Sequence, residues 1–413
     1  MAQKRNIIVG QSGGPTAVIN SSLAGVYKTA KERGFHTIYG MLHGVQGLLD
    51  EQYVDLSTQI HSDLDIELLK RTPSAFLGSC RYKLPEIHED AAIYEKIFEI
   101  LDKLEIEAFV YIGGNDSMDT IKKLSDYAII KGHQQKFLGV PKTIDNDLAL
   151  TDHTPGFGSA AKYIATSTKE VIRDATGMTY NDKEAITIIE VMGRNAGWLT
   201  GAAALAKTEE CEGPDLIYLP EVVFDIDKFL SKTKELLAKK ESVVIAVSEG
   251  IKVADGRYVC ELSGGADYVD AFGHKQLQGT AAYLAGFLGR ETGCKTRSIE
   301  FSTLQRSASH MASRVDVNEA FMVGGAAVKA ADEGESGKMV VIDRLSDDPY
   351  TSAVGIYDVH KIANNEKVVP REWINEEGDY VTEEFINYIE PLIQGFSQPF
   401  MVNGLPQHLV LKK

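Results

Sequence analysis

The sequence predicts an α/β fold in which parallel sheets carry helices on both faces. Short apolar runs alternate along the chain with stretches of helical periodicity, the pattern of parallel strands joined by helical crossovers. Glycine accounts for 37 of the 413 residues and clusters at the ends of these runs. Turns that handle a phosphate or a nucleotide need glycine at such positions. The length accommodates two or three domains of ordinary size.

Apolar runs too short for helices predict the strands, each bounded by glycine or a polar turn. In chain order they are residues 6–10, 108–112, 137–140, 185–191, 216–219 and 243–247, with later strands near 298–302 and at 339–342. Apolar residues at helical spacing predict the helices between them. These are residues 17–33, 117–131, 159–176 and 226–239, with others near 276–290, 317–331 and 383–393. The segment from Ser346 is less periodic, and we expect it to pack against the rest of the chain.

The charge balance limits the classes of partner. Lys and Arg number 43 and Asp and Glu number 59, so the formal net charge is −16. A general nucleic-acid-binding protein needs a basic face, which argues against that class here. An anionic small substrate remains compatible, because a pocket can be locally basic on an acidic protein.

Export and membrane insertion are not indicated. No apolar run approaches the roughly 18 residues of a spanning helix, and the first residues lack the longer apolar region of a signal peptide. The four cysteines, Cys80, Cys211, Cys260 and Cys294, lie far apart and form no CxxC pair. We expect reduced thiols rather than disulfides or a zinc site, and hence a cytoplasmic protein.

Two glycine-rich turns follow predicted strands, at the sheet edge where open α/β folds bind ligands. The first, residues 10–15 (GQSGGP), places small residues at a helix start, where backbone amides can approach an anion. The second, residues 113–117 (GGNDS), adds the amide of Asn115 and the carboxylate of Asp116. Taken alone, each turn is also compatible with a plain strand-to-helix connection or a helix cap.

The most informative segment is residues 141–147 (PKTIDND), which follows an apolar strand. It combines Lys142 and Thr143 with the carboxylates of Asp145 and Asp147. Paired carboxylates near a phosphate favour one as a general base and one near Mg²⁺. A simple acidic turn would leave the neighbouring lysine and threonine unexplained.

Further candidates lie in the second half of the chain. Residues 192–194 (MGR) follow a predicted strand, and an arginine there can clamp a phosphoryl group or form a surface salt bridge. Arg297, Gln305 and Arg306 could hold a sugar phosphate, with the arginines on the phosphate and Glu249 accepting from the sugar hydroxyls. Residues 156–161 (GFGSAA) fit a dinucleotide-binding pattern, but no strand precedes them, so we expect a helix start.

Together these segments resemble the 6-phosphofructokinase family over about residues 5–330. The family motifs occur in order as SGG, FLGSCR, GGND, PKTIDND, MGR, SEGI and a late Arg followed by QR. The resemblance implies two doubly wound, Rossmann-like α/β domains with the active site in the cleft between them. It implies a donor-binding domain at 1–158 plus about 305–345, a fructose-6-phosphate domain at 159–304 and a C-terminal extension at 346–413.

The resemblance also assigns roles to individual residues. The catalytic positions match Asp145 as the general base, with Thr143, Lys142 and Arg194 around the transferred phosphoryl group. The donor site matches Gly14, Arg81, Asp116 and Lys142. The sugar site matches Thr143, Asp145, Met192, Gly193, Arg194, Glu249, Arg297 and Arg306. The Mg²⁺ ligands remain open among Asp116, Asp147 and Asn115, since Asn115 stands where the family usually has an aspartate.

Two positions bear on the phosphoryl donor. ATP-using members have glycine at the positions of Asp116 and Lys142, whereas pyrophosphate-using members resemble this chain at both. A carboxylate at 116 would fill space that ATP needs and repel its α-phosphate. Two like charges at about 4 Å cost about 4 kcal/mol at an effective dielectric constant near 20. Lys142 instead offers a point charge to a compact anion, so we expect pyrophosphate as the donor.

The resemblance therefore implies Mg²⁺-dependent, reversible phosphoryl transfer from pyrophosphate to O1 of fructose 6-phosphate in glycolysis. It implies a homo-oligomer, dimer or tetramer, and the charge balance and apolar runs lead us to expect no nucleic-acid or membrane partner. Four alternatives stay open: an ATP-dependent member that tolerates Asp116 and Lys142, the same transfer to sedoheptulose 7-phosphate, a non-catalytic subunit that binds sugar phosphates, and a nicotinamide-binding protein, which rests only on residues 156–161.

Overall fold

The computed structural model describes residues 5–179, 184–263, 277 and 279–412. The chain divides into two compact units. The first unit comprises the residues up to Ser159, Arg306–Glu366 and the residues from Gln394 onward. The second comprises Ala160–Gln305 and Lys367–Ile393. The stretch after Ser346 is thus shared between both units.

The strands of the described residues are β1 (Asn6–Gln11), β2 (Thr37–Met41), β3 (Tyr53–Asp55), β4 (Ile106–Gly113), β5 (Lys136–Pro141), β6 (Ala185–Val191), β7 (Leu216–Tyr218), β8 (Ser242–Ser248), β9 (Lys295–Glu300), β10 (Lys338–Asp347), β11 (Tyr350–Asp358), β12 (Met401–Val402) and β13 (Leu405–Pro406). The α-helices are α1 (Ile19–Glu32), α2 (Gly44–Leu49), α3 (Asp63–Lys70), α4 (Ala91–Lys103), α5 (Asn115–Lys131), α6 (Phe157–Gly177), α7 (Trp198–Gly201), α8 (Ile226–Leu237), α9 (Thr280–Thr292), α10 (Leu304–Ser307), α11 (Arg314–Asp332) and α12 (Glu383–Ile389). Among the described residues, no helix is both long and apolar enough to cross a membrane.

The first unit is built on a seven-stranded sheet of order β11-β10-β5-β4-β1-β2-β3. Its five inner strands run parallel, and β3 and β11 pair antiparallel at the two edges. Successive residues of a strand point to opposite faces, so Ile7 and Val9 enter one apolar core and Ile8 enters the other. Both faces are therefore covered, as a doubly wound sheet requires.

Two helices of the first unit approach closely because glycine removes the side chain at their crossing. A Cβ on Gly25 of α1 would lie 2.1 Å from the carbonyl oxygen of Phe321 in α11. A Cβ on Gly324 would likewise lie 2.0 Å from the carbonyl oxygen of Ser22. The two helices consequently form one tight layer on the sheet, and α11 brings its N-terminal half beside the chain that leads into α6.

The second unit contains a parallel four-stranded sheet of order β7-β8-β6-β9. Ile186 and Ile188 of β6 pack with Val243 and Ile245 of β8 against Phe229 of α8, among other residues of one core. Edge strand β9 differs, because four of its six residues are exposed and the other two are half-buried. That strand therefore contributes little to the core and presents polar residues at the sheet edge.

The predicted fold class is confirmed, since both units are α/β layers built on mainly parallel sheets and the predicted strands recur within a few residues. The helix predicted at 117–131 begins earlier, at Asn115, because Gly114 is the residue that precedes its first turn. The strand expected near 298–302 lies earlier, at β9. The helix expected near 276–290 begins at Thr280, and residue 276 lies outside the described residues.

Candidate active site

Three of the predicted turns lie side by side in the first unit, because β1, β4 and β5 are neighbours in the sheet. The amide of Ser12 donates to the carbonyl of Ile112 (2.9 Å), and the amide of Lys142 donates to the carbonyl of Gly113 (3.0 Å). The turns at 12–15, 114–116 and 142–147 are therefore one contiguous edge at the carboxyl ends of parallel strands, where such sheets bind ligands.

Lys142 lies buried beneath the first of these turns. Its Nζ donates to the carbonyl of Gly14 at 2.7 Å. Burial lowers the pKa of Lys142 to about 8, although the carboxylates of Asp145 and Asp147 oppose the shift. Arg306 contributes to the same lowering as a nearby positive charge. The ammonium is thus poised to lose its proton in the physiological range unless an anion binds.

Positive charge collects around Gly14. A Cβ on Gly14 would lie 3.0 Å from Nη1 of Arg306, so that guanidinium occupies the space above the glycine. The loop that carries Arg81 is joined to the same turn, because the amide of Gly13 donates to the carbonyl of Cys80 (3.1 Å) and Ser79 Oγ donates to the carbonyl of Gly13 (2.6 Å). Lys142, Arg81 and Arg306 therefore make this spot locally basic on an acidic protein.

Hydrogen bonds of Thr143 and Asn146 order the acidic end of the site. Thr143 Oγ1 accepts from the amide of Asp145 (3.0 Å) and lies 3.3 Å from its Oδ2. Asn146 adopts a left-handed conformation with φ 55° and accepts a hydrogen bond from the amide of Thr154 at 3.1 Å. This sharp bend directs Asp145 and Asp147 to neighbouring positions, and the charge of Asp145 raises the pKa of Asp147.

Asp147 has the properties of a cation ligand. Its Oδ1 is buried and has no hydrogen-bond partner within the part of the chain that the structure describes. Burial, reinforced by the charge of Asp145, raises the pKa of Asp147 to about 7. Burying a carboxylate oxygen unpaired is costly, and a bound cation would remove that cost.

The side chains of Asn115 and Asp116 differ in the hydrogen bonds that they make. Asn115 Oδ1 accepts from the amide of Asn364 (2.5 Å), and its Nδ2 donates to the carbonyl of Asn365 (3.0 Å). Both ends of the Asn115 amide thus bind the segment after β11. The side chain of Asp116, in the first turn of α5, makes no hydrogen bond or ion pair with the residues described. Asp116 is therefore the more available of the two for a ligand.

In the second unit, Met192, Gly193 and Arg194 follow β6 directly. The amide of Gly193 lies 3.5 Å from Oε1 of Glu249, which begins the turn after the neighbouring strand β8. Gly193 has φ 139°, which favours glycine, and its carbonyl accepts from Ser248 Oγ at 2.5 Å. The structure thus brings Met192, Gly193, Arg194 and Glu249 together at the carboxyl end of one sheet.

Arg297 lies elsewhere in the second unit. It pairs in register with Thr187 of β6, four residues before that strand ends, which is about 13 Å along the strand. Its guanidinium donates to Asp174 at 3.1 Å. Within its own unit, Arg297 is therefore not assembled with Met192 or Glu249, and Arg306 belongs to the other unit, beside Gly14.

Sequence reasoning named only part of what holds the site in place. Gln305, which accepts from the amide of Met192 (3.4 Å), was among the sugar-phosphate candidates, whereas Ser248, which fixes the carbonyl of Gly193, was missed. Ser248 carries a signal that could have been used, since it is a polar residue at the end of an apolar run. The contact of Asn364 with Asn115 had no local signal, because 249 residues separate the two positions.

No group of three or more His, Cys, Asp or Glu side chains is placed to hold a metal within the described ranges. Mg²⁺ commonly takes one or two protein carboxylates and completes its shell with phosphate oxygens and water. A site with Asp147, and with Asp116 at the start of α5, fits that mode of binding rather than an all-protein cage.

Parallel sheets with anion-oriented turns at their carboxyl ends define a class of phosphate-handling α/β enzymes. The phosphofructokinase family model matches residues 6–331, and the chain belongs to that family.

Named relatives match over the whole length. The chain is 41% identical to pyrophosphate–fructose 6-phosphate 1-phosphotransferase of Halomonas elongata, over 100% of this chain and 97% of that one. It is 42% identical to the protein of that name from Xanthomonas campestris, over 98% and 96%. The crystal structure of a pyrophosphate-dependent phosphofructokinase from Nitrosospira multiformis superposes with a TM-score of 0.89 at 38% identity, covering 100% of this chain and 99% of that one.

Proposed function

We propose that the protein transfers a phosphoryl group from pyrophosphate to O1 of fructose 6-phosphate, giving fructose 1,6-bisphosphate and phosphate. The observation that carries this proposal is the 41–42% identity, along nearly the entire chain, to relatives that bear the name of this activity. Pyrophosphate and phosphate are similar leaving partners, so the reaction runs in both directions.

The first unit is the donor-binding unit in this proposal. Gly14, Arg81 and Lys142 form a compact basic pocket suited to a small, highly charged anion. Asp116, at the start of α5, opposes a longer donor, because its charge would face the α-phosphate of ATP. About 4 kcal/mol of repulsion corresponds to a discrimination of up to about 10³.

Asp145 is the general base. It accepts the proton of the O1 hydroxyl as O1 bonds to the phosphorus and the bond from that phosphorus to the bridging oxygen breaks, so phosphate leaves with the electron pair. Thr143 Oγ1 holds the backbone of Asp145 and lies beside the transferred group. Lys142 and Arg194 neutralise the negative charge of the transferred phosphoryl group.

The second unit binds the acceptor in this proposal. Met192, Gly193 and Glu249 contact the sugar, as their assembly around β6 and β8 allows. Arg297 and Arg306 keep the assignment to the 6-phosphate that the family resemblance gives them. Because Arg297 lies on exposed edge strand β9, away from Met192, we assign its contact to a neighbouring copy in a homo-oligomer.

Mg²⁺ is the cofactor in this proposal, held by Asp147 and Asp116. When bound, it neutralises the oxygens of pyrophosphate. Asn115 is the weaker of the three candidates, since its amide is already bound to Asn364 and Asn365. The four free cysteines fit a reducing cytoplasm, and glycolysis is the corresponding setting.

The test is the initial rate of fructose 1,6-bisphosphate formation from fructose 6-phosphate and Mg²⁺, with pyrophosphate and ATP supplied in parallel. We expect turnover with pyrophosphate and at least 100-fold less with ATP. Preferential use of ATP would refute the role given to Asp116 and Lys142. Absence of turnover with both donors would refute the activity, and sedoheptulose 7-phosphate would be the next acceptor to assay.

A further inference from the structure

A buried charged cluster lies behind the acidic turn and takes no part in the chemistry described above. His153 is fully buried between two carboxylates. Its Nδ1 lies 2.7 Å from Oδ2 of Asp152, and its Nε2 lies 2.6 Å from Oε2 of Glu319 on α11. Both ring nitrogens therefore face acceptors, an arrangement that only an imidazolium satisfies with two donated hydrogen bonds.

Strands β10 and β11 contribute further charged and polar groups to this cluster. Arg344 of β10 donates to Asp152 through Nε (3.1 Å) and Nη2 (3.0 Å). Tyr350 and Ser352 of β11 both donate to Oε1 of Glu319 at 2.6 Å. The pKa of His153 is raised to about 9, because the charges of its two carboxylates outweigh the effect of burial.

The segment that carries His153 is joined directly to the acidic turn. Thr154 donates through its amide to Asn146 Oδ1 (3.1 Å) and through Oγ1 to the carbonyl of Thr143 (2.8 Å). The amide of Thr143 donates to the carbonyl of Pro155 at 3.3 Å. Residues 153–156 thus lie directly behind the turn that orients Asp145, and His153 is one of the points where this segment is attached to α11.

The next turn of the chain is attached to the same helix. Asp316 of α11 accepts from the amides of Gly156 and Ser159, each at 2.8 Å. Asp316 and Glu319 lie three residues apart, so they project from one face of α11. The backbone from 153 to 159 is consequently held by two carboxylates of a single helix, and His153 is the side chain that makes the charged contact.

We propose that His153, through Glu319, is a positioning residue that fixes the Thr143–Asp145 turn in its catalytic geometry. The inference rests on the proposed role of Asp145. A misplacement of about 1 Å in a reacting group can cost about 100-fold in rate. Loss of this anchor should therefore appear chiefly in kcat, since the binding groups outside the turn, such as Arg81, Met192 and Glu249, are left in place.

The variants are His153→Gln, which removes the cation, and Glu319→Gln, which keeps the shape and removes one charge. Lys123→Gln is the matched control, because Lys123 is also a buried cation of the first unit, held by Asp119 (2.8 Å) and Glu86 (2.9 Å), but it lies against Leu84, not against the acidic turn. For each, kcat and the KM of both substrates are measured well below the unfolding temperature, together with amide hydrogen exchange of residues 142–156.

We expect His153→Gln to lower kcat at least tenfold with each KM within threefold of wild type, and to speed exchange in residues 142–156. Glu319→Gln should lower kcat at least threefold. This variant tests the inference by itself if His153→Gln does not fold. Lys123→Gln should keep kcat within twofold. Any other kcat and KM pattern, or an equal kcat loss in the control, overturns the inference. If the wild type shows no turnover, the proposed function fails by itself, and the exchange data decide whether His153 orders the turn.

Discussion

Substitution of Lys142 by glutamine should change both the rate and the pH dependence of pyrophosphate use. Lys142 Nζ lies 2.7 Å from the carbonyl of Gly14, in the turn that we propose binds the donor. Its folded-state pKa, about 8, lies below the ordinary value of about 10.4. The cation is therefore present below pH 8 and is lost as the pH rises through that value.

The size of the effect follows from this position. A buried ammonium about 4 Å from a phosphate charge is worth about 4 kcal/mol at an effective dielectric constant near 20. Neutralising it should lower kcat/KM for pyrophosphate by up to about 10³. Asp147, with a pKa raised to about 7, must be ionised to hold a cation. Its ionisation therefore sets the acidic limb of the pH profile of kcat/KM, where activity rises with pH. In the wild type, kcat/KM should be greatest between about pH 7 and pH 8.

The assay is kcat/KM for pyrophosphate from pH 6 to pH 9.5 at fixed free Mg²⁺, because this parameter reports the free enzyme. Pyrophosphate itself titrates in this range. Comparison with Lys142→Gln separates the effect of Lys142 ionisation on kcat/KM from the effect of pyrophosphate ionisation, which both proteins share. The variant should lose the alkaline limb. Its acidic limb should move to higher pH, because Lys142 lowers the pKa of Asp147. Lys123→Gln should reproduce the wild-type profile.

Retention of the alkaline limb in Lys142→Gln would refute the assignment of that limb to Lys142. An unchanged kcat/KM at pH 7 would refute the role of its charge in donor binding altogether. An acidic limb that does not move would show that Lys142 and Asp147 do not interact across the turn.

Three further outcomes are expected. Asp145→Ser should lower kcat about 10²- to 10⁴-fold with little change in either KM, in steady-state assays with pyrophosphate, and near-wild-type kcat would remove Asp145 as the base. The double variant Asp116→Gly with Lys142→Gly should weaken pyrophosphate use and admit ATP, and complete inertness toward ATP would show that other residues exclude the nucleotide. His153, whose folded-state pKa of about 9 exceeds its ordinary 6.5, should stabilise the fold fully below pH 6.5 and cease to do so as pH rises through 9. Urea unfolding from pH 6 to pH 10 should show that loss, and Glu319→Gln should flatten it.

The sequence by itself determined the strands that carry the chemistry and the turns that follow them. Runs such as residues 108–112 are buried on both faces, so composition alone identifies them. Helix α4 was not predicted, although Tyr94, Ile97, Phe98 and Leu101 recur at helical spacing and form its buried face. Local patterns suffice here because each of these signals lies within one element.

Only the tertiary structure decided which side chains meet. Arg297 and Arg306 are nine positions apart in sequence, yet they belong to different units. Asn115 was a candidate metal ligand by position, but the segment after β11 occupies its amide. His153 gave no signal in the sequence, since its partner Glu319 is 166 residues away. Periodicity reports which face of an element is buried, whereas contacts between distant elements depend on sheet order and helix packing, and no local pattern encodes these.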